Sequence, residues 1–366
     1  VTSTRARSRS ASVGVTALIV ALVGLLVLTF LPSPYVIQRP GPVFNTLGDA
    51  KTEDGTETPL ISIGGAETYP TAGALDLTTV QVVGNREHTP SWMELILAWL
   101  DPARAVVPID AVFPQGVTTD QRNQQNQTLM VNSQHDATAA ALRELGYDVP
   151  VSIEIDSVID GGAAQGVLQK DDRIVAIDGE AVTDAPAMRA RVQQGAGASL
   201  TLTIERGGAR QDVSVTPKAQ ESDGKKTWLV GVTLRDSYAF PVDVTLRLDD
   251  VGGPSAGMMF ALGIVDVLTP GELNGGKQIA GTGTITADGA VGPIGGIRQK
   301  LYGARDAGAT YFLAPGSNCD EVVGHVPDGL RVIRTDKLAD SVTALKTIAD
   351  GGDVDALPTC TTAPTP

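Results

Sequence analysis

Two side chains in the last third of this 366-residue chain stand out for their chemistry, Ser255 and Lys300. Ser255 lies in Gly252-Gly253-Pro254-Ser255-Ala256-Gly257. The run that follows, 258–268, is apolar nearly all round except for Asp266 and reads as a buried helix. Ser255 would then sit at or just inside the helix N-terminus, where unpaired N–H groups and the helix dipole stabilise negative charge developing on a carbonyl oxygen. Its small neighbours let a substrate backbone come close. Taken alone, such a serine is equally a helix cap beside a glycine turn. Residues 253–257 also fit the G-x-S-x-G elbow, which asks for an acid and then a histidine downstream. The one downstream histidine is His325, with Asp306 or Asp320 as acids, and the many βα units of that fold are not visible.

Lys300 follows the turn Gly292-Pro293-Ile294-Gly295-Gly296, on a segment, 297–307, that reads as a helix ended by Gly308. Ile297, Leu301, Ala304 and Ala307 form one apolar stripe. Lys300 points toward the same buried side, while Arg298 and Gln299 point elsewhere. A lysine on such a stripe either snorkels or has a task. Burial lowers its pKa from about 10.4. A neutral amine can accept the Ser255 proton and later donate it to a leaving nitrogen, without any histidine. Between the two lies Ile279-Ala280-Gly281-Thr282-Gly283-Thr284-Ile285-Thr286, a strand of small residues before an Asp288-Gly289 turn. Thr282 on it either hydrogen-bonds the lysine or serves as a strand former.

The remaining chain must position these groups. Residues 75–83 read as a strand, 92–100 as a short apolar helix, 106–119 as a loop or edge element and 125–145 as an amphipathic helix. The region up to 134 is expected to pack around the rest, and no recognisable chemistry is visible in it. From 146 to 217 the rhythm changes to short strands at 151–159, 174–177, 199–205 and 211–216, with one helix capped by Thr183 or Asp184 and ending near Gln193. Asp178-Gly179 and Gly207-Gly208 are its turns. Residues 218–226 read as a linker or exposed hairpin with a turn at Asp223-Gly224. The chain beyond 349 is rich in Gly, Asp, Thr and Pro and is expected to be disordered.

Residues 146–217 resemble a bacterial PDZ domain, through Asp156-Ser157-Val158, Gly161 to Ala164, Gly166, Leu168, Asp171-Asp172, Ile174, Ile177-Asp178-Gly179 and Val182. That resemblance implies binding of an extended C-terminal peptide along a sheet edge, with the carboxylate loop near Leu145-Gly146-Tyr147. Residues 227–345 resemble the proteolytic domain of Lon proteases, carried here without an ATPase. Gly253-Pro254-Ser255-Ala256-Gly257 matches the nucleophile motif, Thr282-Gly283 the threonine-glycine pair, and Pro293-Ile294-Gly295-Gly296-Ile297 with Lys300 the base motif. The resemblance implies a Ser255–Lys300 dyad, Thr282 orienting Lys300, the amides of Ser255 and Ala256 as oxyanion donors, and assembly as a homo-hexameric ring. Where many Lon proteins carry an acidic residue three before the serine, this chain has Gly252. Asp249 and Asp250 stand slightly upstream.

The N-terminus suggests a location. Arg5, Arg7 and Arg9 precede an uncharged apolar run from roughly 13 to 31. At 1.5 Å per residue that run spans about 28 Å, close to a bilayer's hydrocarbon thickness. A cytoplasmic N-terminus, a retained membrane anchor and an extracytoplasmic bulk are expected, with a cleaved signal peptide as the alternative. With it, the chain resembles bacterial, notably actinobacterial, membrane-anchored Lon-like proteases with a PDZ domain.

The expected fold class is α+β: an N-terminal transmembrane helix, a mixed region, a PDZ-like β-rich module and a Lon-type peptidase domain. The boundaries are 1–11 cytoplasmic, 12–32 anchor, 33–134 mixed α/β, 135–217 PDZ-like, 227–345 peptidase and 349–366 tail. The expected activity is that of an ATP-independent serine endopeptidase acting on unfolded or flexible extracytoplasmic proteins. The other reading is an inactive peptide-binding scaffold.

Other classes find little support. The net charge of −14, without a long basic run, argues against nucleic acid as a partner. Gly271-Glu272-Leu273-Asn274-Gly275-Gly276-Lys277 imitates a P-loop, but Gln278 stands where the magnesium-binding hydroxyl belongs, so no nucleotide is expected. His88, His135 and His325 are scattered and no HExxH occurs, so neither metal nor cofactor is expected. Cys319 and Cys360 are too few for a disulfide scaffold, and a bridge between them remains open.

Overall fold

The computed structural model describes residues 7–51, 55–182, 185–222, 225–248 and 251–361. Contacts divide the chain into two compact units. One joins Val1–Gly146 to Val242–Pro366, and the other is Tyr147–Pro241.

The first unit is built on a six-stranded sheet, in the order Arg331–Thr335, Tyr311–Pro315, Gln278–Gly281, Ala74–Val83, Tyr35–Asn45 and Ala105–Pro108. The first four strands run parallel, and the last two add antiparallel. Parallel strands need cover on both faces, and their side chains alternate between two cores. Ile279, Leu313 and Ile333 enter the core built on the helix Gly257–Leu268. Ala280, Phe312, Ala314 and Val332 enter the core built on the helix Ile297–Asp306. The serine helix and the lysine helix therefore cover opposite faces of one sheet. Both reach the carboxyl end of the strand Gln278–Gly281, the position at which open parallel sheets bind ligands.

The region before residue 134 is part of this scaffold and not a layer around it. Its strands Tyr35–Asn45 and Ala74–Val83 continue the sheet, and the 106–119 segment supplies the edge strand Ala105–Pro108. The helix Thr119–Glu144 begins six residues ahead of the periodic apolar signal, because Thr118 and Gln121 form a capping box. Its residues Met130, Ala137, Ala140 and Ala141 pack into the core around the serine helix.

Arg7–Phe30 forms a helix. Among the described residues no helix is long and apolar enough to cross a membrane. This corrects the expected anchor, and with it the cytoplasmic N-terminus, the extracytoplasmic bulk and the membrane as partner. What stands of the expected fold class is a mixed α+β chain of two units, the second of them a small β-rich module.

Beyond Ala349 the chain remains structured through residue 361 despite its composition. Pro358 O accepts from Arg334 N at 2.8 Å, Arg331 pairs with Asp355, and Cys360 is bridged to Cys319.

The second unit carries a sheet in the order Ala209–Val215, Leu200–Arg206, Arg173–Ile177, Val151–Val158 and Val232–Tyr238. Asp178 and Gly179 both have positive φ, the type I′ turn that joins Arg173–Ile177 to Glu180–Ala181. The 218–226 segment is a hairpin, Lys218–Ser222 paired with Lys225–Leu229. At the core margin, burial alone would raise the Asp172 carboxyl pKa. The bidentate Arg206 and the Gln169 N–H instead hold it below its usual value. Thr183, Asp184, Asp223, Gly224, Asp249 and Asp250 lie outside the described residues.

This topology makes two fragments behave differently. Residues 147–241 alone should melt cooperatively by circular dichroism. Residues 242–361 alone, lacking three of the six strands of their sheet, should show neither near-ultraviolet signal nor a cooperative transition.

Candidate active site

Ser255 lies one residue ahead of the Ala256 cap, just outside the helix Gly257–Leu268 rather than within its first turn. The reason is local. Met258 N donates to Gly283 O at 3.1 Å and Gly283 N donates to Ser255 O at 2.9 Å, so the strand end crosses over the start of the helix. The crossing is too close for side chains. A Cβ on Gly281 would meet Met259 Sδ at 2.6 Å, and one on Gly283 would meet Val291 Cγ1 at 2.9 Å. Among the described residues the N–H groups of Ser255 and Ala256 have no acceptor, as an oxyanion site requires.

The lysine helix starts at Ile297 after Gly296, which takes φ +69. Lys300 stands in its first turn and is 3% exposed. Its Nζ lies 2.8 Å from Ser255 Oγ and donates to Thr282 Oγ1 at 2.8 Å. Thr282, fully buried, donates in turn to Ser255 O at 2.9 Å. The three residues singled out by sequence, 27 and 45 positions from Ser255 to Thr282 and Lys300, thus form one connected cluster. Among the described residues no carboxylate pairs with Lys300, and burial pushes its ammonium pKa down to about 7. Near neutral pH a substantial fraction is then free amine, with a lone pair 2.8 Å from a hydroxyl. Gln299 is also buried, at 2% exposure, against the expected outward orientation. The lysine helix packs broadly across the sheet, so its buried face is wider than one stripe.

Residues without a sequence signal hold this cluster. Asn318 accepts from Ile294 N and donates to Ile294 O, each at 2.9 Å, which fixes the turn ahead of the lysine helix. Asn126 O accepts from Gly253 N at 3.0 Å, and Ser133 Oγ donates to Pro254 O at 3.0 Å, which fixes the turn ahead of the serine. A Cβ on Gly252 would lie 2.8 Å from Asn126 Cβ, so the Asn126 side chain occupies the space that a larger residue at this position would need.

The histidine alternative finds no geometry. His325 Nδ1 lies 3.1 Å from Val323 O, and Asp306 and Asp320 are exposed. The P-loop imitation is a turn leading into the strand Gln278–Gly281, with no helix after it to receive a phosphate. Among the described residues no group of His, Cys, Asp and Glu is arranged to hold a metal.

The expected peptide loop is dispersed. Leu145 caps the helix Thr119–Glu144 and packs against the main core, Gly146 ends the first unit, and Tyr147 begins the second. One edge of the PDZ-like sheet is Val232–Tyr238, reached through Trp228-Leu229-Val230-Gly231, and the other is Ala209–Val215. Val230 O and Gly231 O are held by Ala164 N and Ile159 N, and Gln193 bonds both N and O of Trp228. The alternation of Val232 and Leu234 after Gly231 was the available signal.

Comparison with known proteins agrees with this division. The model of the Lon protease (S16) C-terminal proteolytic domain matches residues 250–347, and that of the PDZ domain matches 154–206. Lon protease 2 of Herpetosiphon aurantiacus is 37% identical over 94 residues, 25% of this chain and 11% of that protein. The Lon protease of Dictyoglomus thermophilum is 34% identical over 139 residues, 38% and 17% respectively. That of Brevibacillus choshinensis is 27% identical over 170 residues, 45% and 21%. The chain thus spans between about a tenth and a fifth of the length of these relatives. Among solved structures, the PDZ domain of an SdrC-like protein from Listeria monocytogenes is 24% identical, covering 22% of this chain and 85% of its own, with a TM-score of 0.21. The likeness to the proteolytic domain supports a serine-protease-like hydrolytic function in general.

The buried amine makes a stability prediction. Below pH 7 folding buries an ammonium, and between about 7 and 10.4 the unfolded chain binds the proton that the folded chain does not. Wild-type stability relative to Lys300→Met should therefore be lowest and flat below pH 7, rise through that window, and level off above it. Denaturant unfolding of both proteins at pH 6, 8 and 10 measures the difference.

Proposed function

We propose that the chain is a serine endopeptidase in which Ser255 is the nucleophile and Lys300 its general base. The observation that carries this reading is the 2.8 Å approach of a deeply buried lysine amine to a serine hydroxyl. The neutral Nζ takes the Oγ proton as Oγ attacks a peptide carbonyl carbon. The Ser255 and Ala256 N–H groups receive the charge on the carbonyl oxygen. The lysine then passes its proton to the departing nitrogen, leaving an ester on Ser255. Water, deprotonated by the same amine, releases the acyl group and restores the hydroxyl. Thr282 accepts one N–H of the amine and donates to Ser255 O, which leaves the nitrogen lone pair for Oγ.

Nothing in this sequence of steps consumes a nucleotide. In this reading the substrates are unfolded or flexible polypeptides, and a peptide binds the PDZ-like module as an added strand at an edge of its sheet.

With a reduced, alkylated protein as substrate, Ser255→Ala and Lys300→Ala should each lower cleavage by about 10³-fold or more. His325→Ala should match wild type. The wild-type kcat/KM should rise with pH through about 7, as the ammonium gives up its proton. Cleavage by both dyad variants at the wild-type rate would exclude the assignment.

A further inference from the structure

Two peptide planes flank Ser255, and a different part of the fold holds the carbonyl of each. In a trans peptide the C=O and N–H point to opposite sides. Ser255 O is held by Gly283 N and Thr282 Oγ1, both at 2.9 Å, so the Ala256 N–H faces away from the strand end. Pro254 O is held by Ser133 Oγ at 3.0 Å, so the Ser255 N–H faces away from the helix Thr119–Glu144.

The second plane has few other constraints. Gly253 takes φ +91, and a Cβ there would meet nothing within 4 Å, so no side chain packs against the turn at that point. Its further braces among the described residues are the bond from Gly253 N to Asn126 O at 3.0 Å and a longer one, 3.4 Å, from Gly257 N to Pro254 O itself, against which the 3.0 Å bond from Ser133 is the shorter hold on that carbonyl. Serine and threonine within helices ordinarily bond back to the carbonyl four residues earlier. Thr128 and Thr138 of the same helix do so, to Gln124 O and Gln134 O. Ser133, 3% exposed, instead donates out of its helix to Pro254.

We propose that Ser133 is a positioning residue for the oxyanion site: by holding the Pro254 carbonyl, its hydroxyl aims the Ser255 N–H at the oxygen of the tetrahedral intermediate. The inference rests on the Ser255–Lys300 reading and assigns a role to a residue far from the nucleophile in sequence. Ser133 touches neither substrate nor dyad, so its loss leaves the dyad's proton transfer intact and weakens only the stabilisation of the oxyanion.

The test compares wild type, Ser133→Ala and Ser133→Cys with two ligands of one sequence, taken from a cleaved site. One is a peptide aldehyde, which forms a tetrahedral adduct with Ser255, and the other is the primary amide, which binds without reacting. In Ser133→Ala, kcat should fall about tenfold or more, toward the loss seen when an oxyanion donor is removed outright. KM should hold, and the pH limb should stay at its wild-type position. Aldehyde affinity should fall in parallel with kcat while amide affinity holds. Ser133→Cys keeps the volume and weakens the donor, so it should move the same way by a smaller factor, and it decides the matter should Ser133→Ala not fold. Wild-type kcat and aldehyde affinity in the variants would overturn the assignment, and so would equal weakening of aldehyde and amide. A wild-type protein that forms no adduct at Ser255 would instead overturn the dyad reading, and this inference with it.

Discussion

The site depends on keeping one amine out of water. In the proposed reading Lys300 serves Ser255 as a base only while its ammonium form is penalised by burial, and no neighbouring carboxylate among the described residues offsets that penalty. The architecture supplies the dryness from both faces of the sheet. The serine helix is buried at every position from Gly257 to Asp266, the lysine helix is buried at Ile297, Lys300, Leu301 and Ala304, and the strand end between them carries glycines where the two converge. The polar atoms of the cluster are paired in series, amine to threonine hydroxyl to serine carbonyl, with the same amine nitrogen 2.8 Å from Ser255 Oγ. A more hydrated site would hold the same three residues with the lysine charged.

Ser255, Thr282 and Lys300 were legible because each carries a short-range signature: a glycine-flanked serine before an apolar helix, a threonine on a small-residue strand, and a lysine on an apolar stripe. The groups that hold them were not legible. Asn126 and Ser133 act through a backbone carbonyl and one hydroxyl on residues more than a hundred positions from the turn they brace, and Asn318 resembles any asparagine in a turn. The same distance hid the sheet. The strands Tyr35–Asn45 and Ala74–Val83 read as ordinary alternating segments, and nothing local in them names Gln278–Gly281 as a neighbour.

Misreadings arose where composition stood in for contacts. Glycine, threonine and proline suggested a loose tail, yet a disulfide and the Arg334–Pro358 hydrogen bond fasten it. Apolar content suggested a spanning helix at the N-terminus, which the described residues do not provide. The PDZ-like module was legible through its turns, but its edge strand Val232–Tyr238 follows a charged hairpin and was attributed to the next domain.

The peptidase sheet is interrupted in sequence by an entire second unit, and this has a consequence for the nascent chain. The buried hydrogen bond from Thr78 to Gly281 joins residues 203 positions apart. At ordinary elongation rates the ribosome needs about 10–40 s to cover that interval. Throughout it the Ala74–Val83 strand has one edge without its eventual neighbour, whereas the intervening Tyr147–Pro241 unit has every strand it needs once Tyr238 is made. The serine is translated near the end of this interval and the threonine and lysine after it, so the Ser255–Thr282–Lys300 cluster is among the last parts of the molecule to come into existence.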